Sequence, residues 1–99
     1  MIVRIVQMNF RPEEVANFEA LFQERKLMIR NFEGCRHLEL WQDAHDPNIF
    51  FTYSMWESEE HLNHYRFSEF FKDTWSRTKA LFQAKPQAWS VNQKVVVDR

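Results

Sequence analysis

The chain reads as an α+β protein, a ferredoxin-like βαββαβ plait whose antiparallel sheet carries its helices on one face. Three observations predict this. Strand-like and helix-like segments follow one another in the order strand, helix, strand, strand, helix, strand. A short polar stretch, Asp43 to Asn48, joins the second and third strands as a hairpin loop. Those two strands also carry apolar side chains of both parities, so helices can cover only one of their sides.

The first strand is Ile2 to Phe10, rich in Ile and Val. Pro12 followed by Glu13 and Glu14 is a helix start, with a fixed φ at the first position and acids at the positive end of the dipole. Val15, Phe18, Phe22, Ile29 and Phe32 then recur at helical spacing, with Leu21 and Met28 widening the stripe and Glu24, Lys26 and Arg30 opposite. Gly34, the only glycine, is expected to end this helix in the left-handed conformation. Cys35 to Gln42 reads as strand two, and Ile49 to Trp56 as strand three.

After Trp56 the pattern changes. Ser58 is an expected N-cap, with Glu59 and Glu60 in the first turn. Ser68 restarts a second helical part from about Ser68 to Ala84, through Phe71, Trp75, Thr78 and Phe82, closed by Pro86. Trp89 to Val97 is the expected last strand. The stretch from Ile49 to Phe71 holds eight of the sixteen aromatic residues, so the corner where strand meets broken helix is the expected centre of packing.

Ninety-nine residues make one domain, residues 1–99, with a single core. Thirteen basic and fourteen acidic side chains give a net charge of -1, which supplies no electrostatic footprint for nucleic acid or an anionic membrane. One cysteine, Cys35, forms no internal disulfide and suits a reducing compartment. The N-terminal run carries an arginine and no small-residue cleavage site, and no apolar run approaches the ~20 residues of a membrane span. The expectation is a cytoplasmic protein.

On strand three, Ile49, Phe51, Tyr53 and Met55 share one face while Phe50, Thr52, Ser54 and Trp56 share the other. On strand two, Leu38 and Leu40 oppose His37 and Trp41. Apolar surface of that extent marks a partner. The expected partner is a second copy, giving a homodimer packed through the open sheet face.

The order of elements, Phe32-Glu33-Gly34 before strand two, Asp46-Pro47 in the hairpin, and Trp56 followed by Tyr65-Arg66-Phe67-Ser68-Glu69-Phe70-Phe71 resemble the antibiotic biosynthesis monooxygenase superfamily. The likeness spans nearly the whole chain. It implies a dimeric α/β-barrel and oxygen-dependent oxidation of aromatic polyketides or quinols with no metal or flavin cofactor. The superfamily's His-x-x-Ser-x-His-Phe pattern keeps its serine and final aromatic here as Ser68 and Phe71, while its histidine positions hold Tyr65 and Phe70. Haem-degrading relatives use an asparagine, a tryptophan and a histidine at positions that fall here on Gln7, Tyr65 and Trp75, so the resemblance does not extend to haem degradation.

Oxygenation without a cofactor needs a substrate that can be deprotonated, a group to handle the proton and a dry pocket. Tyr65, with His64 as second choice, is the expected proton-handling residue. Gln7 or Asn9 is expected to bind the substrate oxygen, and Trp56, Phe71 and Trp75 to line a slot for a small aromatic ligand. The competing reading makes these aromatics ordinary core and His64 a solvated helix residue.

His61 and His64 share a helix face with Glu57 or Glu60, but no motif fixes a third ligand, so no metal site is expected. Cys35 and His37, two apart on a strand, are expected on one face, the cysteine as a small buried residue. Base stacking in the manner of an RNA-recognition motif would need a basic residue and glycines among the strand-three aromatics. Phe50-Phe51-Thr52-Tyr53 has neither. The main alternative to an oxygenase is a dimeric domain of the same fold that binds a small molecule without turning it over.

Overall fold

The computed structural model describes all residues, 1–99. Its elements are β1 (Ile2–Asn9), a 3-10 turn at Pro12–Glu14, α1 (Val15–Arg30), β2 (Cys35–Gln42), β3 (Ile49–Trp56), α2 (Glu59–Arg66), α3 (Glu69–Lys79) and β4 (Gln87–Asn92). The sheet order is β2-β3-β1-β4 with every pair antiparallel. This is the ferredoxin-like α+β plait, and its sheet is open rather than closed. No helix is long and apolar enough to cross a membrane.

Strand alternation divides the sheet. Met8, Phe50 and Trp56 are buried on the side where Phe18 and Ile29 of α1 and Leu62 and Tyr65 of α2 pack. No element covers the other side. There Trp41 stacks on Tyr53 at 4.9 Å between ring centroids, and Trp41, Trp89 and Val91 remain 39%, 43% and 43% exposed.

Several boundaries differ from the sequence reading, each for a tertiary reason. β4 ends at Asn92 rather than Val97, because its partner β1 runs out where Ile2 pairs with Asn92. Val95, Val96 and Val97 then have no ladder to join and stand exposed. α3 stops at Lys79, not near Ala84. Beyond it the chain is held by the end of β1, through Arg11 N–H to the Leu81 carbonyl (3.1 Å) and Gln83 N–H to the Asn9 carbonyl (2.9 Å).

α1 ends at Arg30, before Gly34. Gly34 does adopt a left-handed φ of 88°, but it does so in the turn that starts β2, where Cys35 N–H donates to the Phe32 carbonyl. A β-carbon at Gly34 would stand 2.5 Å from the side chain of His61, so this turn requires glycine twice over.

Cys35 and His37 do not share a face. A bulge at the start of β2 shifts the register, so Cys35 pairs with Trp56 and joins the buried cluster while His37 pairs with Met55 and lies beside Tyr53 on the open side. Burial pushes the Cys35 thiol above its ordinary pKa, as suits an inert core residue. Met28, expected to widen the apolar stripe of α1, faces outward, as does Leu27, while Arg25 faces inward. Arg25 pairs with Asp73 at 2.9 Å, donates to Thr74 Oγ1 at 2.8 Å and lies over the Phe70 ring, tying α1 to α3.

Candidate functional site

The inward side chains of β3 run Phe50, Thr52, Ser54, Trp56: large, small, small, large. Where the floor of the core is small, the helices above do not close the space. A cavity of about 270 Å³ results, bordered by Thr52 and Ser54 below and by Phe22, Tyr65, Phe71 and Trp75 above and beside. Such a volume suits a compound of one or two rings.

The break between α2 and α3 positions the aromatic wall. Ser68 caps α3 by accepting from Phe71 N–H at 3.1 Å, and its hydroxyl donates to the Tyr65 carbonyl at 2.6 Å. One side chain thus fixes both the last turn of α2 and the first turn of α3. Tyr65 consequently stacks on Trp56 at 4.8 Å and meets Phe71 edge-on at 5.0 Å, and Phe71 in turn lies parallel to Trp75 at 6.0 Å. Trp56 is itself 1% exposed, and its indole N–H donates to Ser54 Oγ at 3.0 Å.

Tyr65 is buried, and burial pushes its phenol well above the ordinary tyrosine pKa, with the neighbouring Cys35 adding to the rise. It is therefore a protonated donor at neutral pH, not a base. Its side chain borders the cavity. No aspartate, glutamate or histidine lines the cavity. Its charged residues are Arg4, from β1, and Arg66, the last residue of α2.

Of the residues singled out in the sequence, Trp56, Tyr65, Phe71 and Trp75 come together around this cavity. The others do not. His64 is on the exposed side of α2, edge-on to Phe32 at 5.7 Å. Gln7 and Asn9 alternate with Val6 and Met8, which border the cavity, so both lie on the opposite side of the sheet; Asn9 there accepts from Gln83 Nε2 at 2.7 Å. His61 is engaged by Ser58 Oγ at 2.7 Å and Glu57 at 3.5 Å, and no three His, Cys, Asp or Glu side chains converge to hold a metal ion.

Arg4, Thr52, Ser54 and Arg66 escaped the sequence reading. For Arg4 the signal was present: it stands between Ile2 and Val6 at an inward position of a central strand, where charge is costly without a purpose.

Fold and cavity together define a class: a ferredoxin-like α+β domain with an aromatic-walled cavity between its helices and one face of its sheet. The family model "Antibiotic biosynthesis monooxygenase" matches residues 1–76, and the chain belongs to that family. No curated protein sequence matches it. Among solved structures, one described as an antibiotic biosynthesis monooxygenase is similar at 20% identity and a TM-score of 0.89, covering 96% of this chain and 100% of its own. A conserved protein from Methanosarcina mazei Go1 is similar at 21% identity and 0.88, covering 95% and 94%. Rv0793 from Mycobacterium tuberculosis is similar at 18% identity and 0.87, covering 98% of each chain. At these identities the likeness is one of fold.

Proposed function

We propose that this protein is a cofactor-independent monooxygenase that oxidises a small aromatic or quinol-like compound in the cytoplasm. The observation that carries this reading is the cavity beside Tyr65, largely apolar and aromatic on its walls, with one buried phenol held in its donor form. For an anthrone-type substrate the balance is simple. The ring CH₂ and O₂ become a ring carbonyl and water, one oxygen atom entering the product and the other leaving with the two hydrogens. The substrate enters as its anion, its proton already released to solvent, and supplies the electrons. Tyr65 donates a hydrogen bond to the substrate oxygen as negative charge gathers there, in a site whose low polarity strengthens that bond.

Tyr65 is preferred over His64 because His64 does not border the cavity, and Gln7 and Asn9 have no part in this scheme for the same reason. Oxygen uptake with an anthrone or quinol tests it. Tyr65→Phe should lower kcat on the order of a hundredfold while leaving the fold intact. An unchanged rate would remove Tyr65 from the chemistry.

A second reading, binding without turnover, is favoured by the absence of any carboxylate or imidazole from the cavity wall. Tight binding with no oxygen uptake would select it.

We further propose that the protein works as a homodimer in which the open faces of two sheets meet and complete an α/β-barrel. The half-exposed Trp41, Trp89 and Val91 on that face support this. Sedimentation at micromolar concentration should give the mass of two chains, and a persistent monomer would dismiss the dimer.

A further inference from the structure

Most arginines of the chain have an internal partner. Arg25, Arg36 and Arg77 pair with carboxylates, and Arg11 and Arg30 donate to backbone carbonyls. Arg4 and Arg66 differ. Both border the cavity, and neither forms an ion pair. Arg4 donates only to the neutral hydroxyl of Ser90 at 2.9 Å across the β1–β4 ladder. Arg66 closes α2, where a cation suits the helix dipole, yet its guanidinium makes no hydrogen bond within the chain.

Two unneutralised guanidiniums beside one apolar cavity repel each other, and the guanidinium of Arg4 is partly desolvated as well. Arg4 is accordingly held below the ordinary arginine pKa, first by burial and then by the charge of Arg66. That arrangement costs stability and is relieved by an anion within reach of both groups.

We infer that Arg4 and Arg66 form an anion subsite at the mouth of the cavity, taking the carboxylate of a one- or two-ring aromatic acid whose ring lies against Trp75 and Phe71. This rests on the small-molecule reading of the cavity and narrows it to a substrate class. The guanidiniums offer planar donors matched to a carboxylate, while Thr74 and Tyr65 can meet polar groups deeper in. An acidic substrate would enter oriented, charged end outward and ring inward.

Isothermal titration of the intact protein with 2-naphthoate and with its neutral isostere 2-naphthamide tests the subsite. Naphthoate should bind about tenfold more tightly or better, as charge-assisted hydrogen bonds allow. Its affinity should fall with added salt while that of the amide does not. Arg66→Gln, at an exposed position, should erase the preference by bringing naphthoate affinity down to that of naphthamide. Arg4→Gln should do the same, with circular dichroism reporting whether the strand survives. Equal binding of the two compounds, binding of neither, or a preference that persists in Arg66→Gln would overturn the subsite. The oxidation stands or falls separately: a naphthoate preference without oxygen uptake from any acidic quinol keeps the subsite and ends the monooxygenase reading.

Discussion

The Phe10 cluster and the Trp56 cluster lie under the same sheet and use the same kinds of side chain, yet Phe10 and Phe50 are packed solid while Trp56 and Tyr65 wall a cavity that Met8 and Phe18 close from the other side. Around Phe10, which is 0% exposed, ring packs on ring: Phe18 stacks at 4.1 Å, Phe82 tilts at 5.2 Å and Phe50 meets it edge-on at 5.9 Å. Around Trp56 the rings are equally close to one another, but they surround space instead of filling it. The difference comes from the floor. Phe50 rises from β3 beneath the first cluster, whereas Thr52 and Ser54 underlie the second. Aromatic content alone therefore does not distinguish core from site; the size of the residues beneath the rings does.

Two substitutions set this contrast in opposite directions. Phe10→Ala removes a ring from the filled cluster and should cost about 3–5 kcal/mol, since neighbours on three sides cannot collapse into the gap. Thermal or denaturant unfolding would read it as the largest loss of any single change considered. Thr52→Phe adds a ring to the hollow cluster, where space already waits for it. Its effect on stability should be about 1 kcal/mol or less, because it overpacks nothing. It should nevertheless abolish binding of small aromatic compounds, as measured by titration. A large destabilisation by Thr52→Phe would mean that the cavity is not free to receive a side chain.

Much of this was legible from the chain. Alternation on Ile49 to Trp56, the helical stripe from Val15 to Phe32, and the serines at 58 and 68 suffice for the plait and for the broken helix, because each is a local pattern. Those serines do cap α2 and α3. What local pattern could not supply was the end of a strand or a helix set by a distant partner. Val95 to Val97 have high strand propensity and no ladder, and α3 gives way where Leu81 and Phe82 are claimed by the end of β1. The bulge at Cys35 and His37 is of the same kind, visible only once β3 is beside it.

The site was half legible. Tyr65 was found through the family resemblance, Trp56, Phe71 and Trp75 as an aromatic slot beside it, and the polar partners were sought on β1 at the wrong parity. Gln7 and Asn9 drew attention as polar residues near an expected pocket; Arg4, three residues from Gln7 and inward-facing, was the one that bordered it. The parity of β1 is fixed by its pairing with β3, through Val6 opposite Thr52 and Met8 opposite Phe50, and that register is a tertiary fact.

Buried titratable groups extend the contrast to pH. Tyr65 keeps its proton in the folded chain far more tightly than in the unfolded one. A raised folded pKa means that its contribution is fully present below pH about 10 and is lost as pH climbs beyond that value, since only the unfolded state can then release the proton. Stability should therefore decline in alkali, and the phenolate absorbance of Tyr65 should rise together with unfolding and not before it. Tyr65→Phe should remove that part of the alkaline decline. The filled cluster contains no titratable ring, so Phe10 variants should keep the same alkaline slope.

The smallest effect belongs to the link between α1 and α3 that frames the hollow cluster. Arg25 first, and Arg77 after it, hold the Asp73 carboxyl below the usual aspartate range. Because the folded pKa is the lower one, the contribution is present at neutral pH and is lost only as pH falls below about 4. Asp73 is half exposed, so water screens the pair and the loss should be modest. Asp73→Asn should lower the melting temperature slightly at neutral pH and leave it level with the parent protein at the acid end, where the parent has already lost its charge. If the two melting curves instead stay apart at low pH, the tie between the helices is one of packing, through Thr74 and the Phe70 ring, and not of charge.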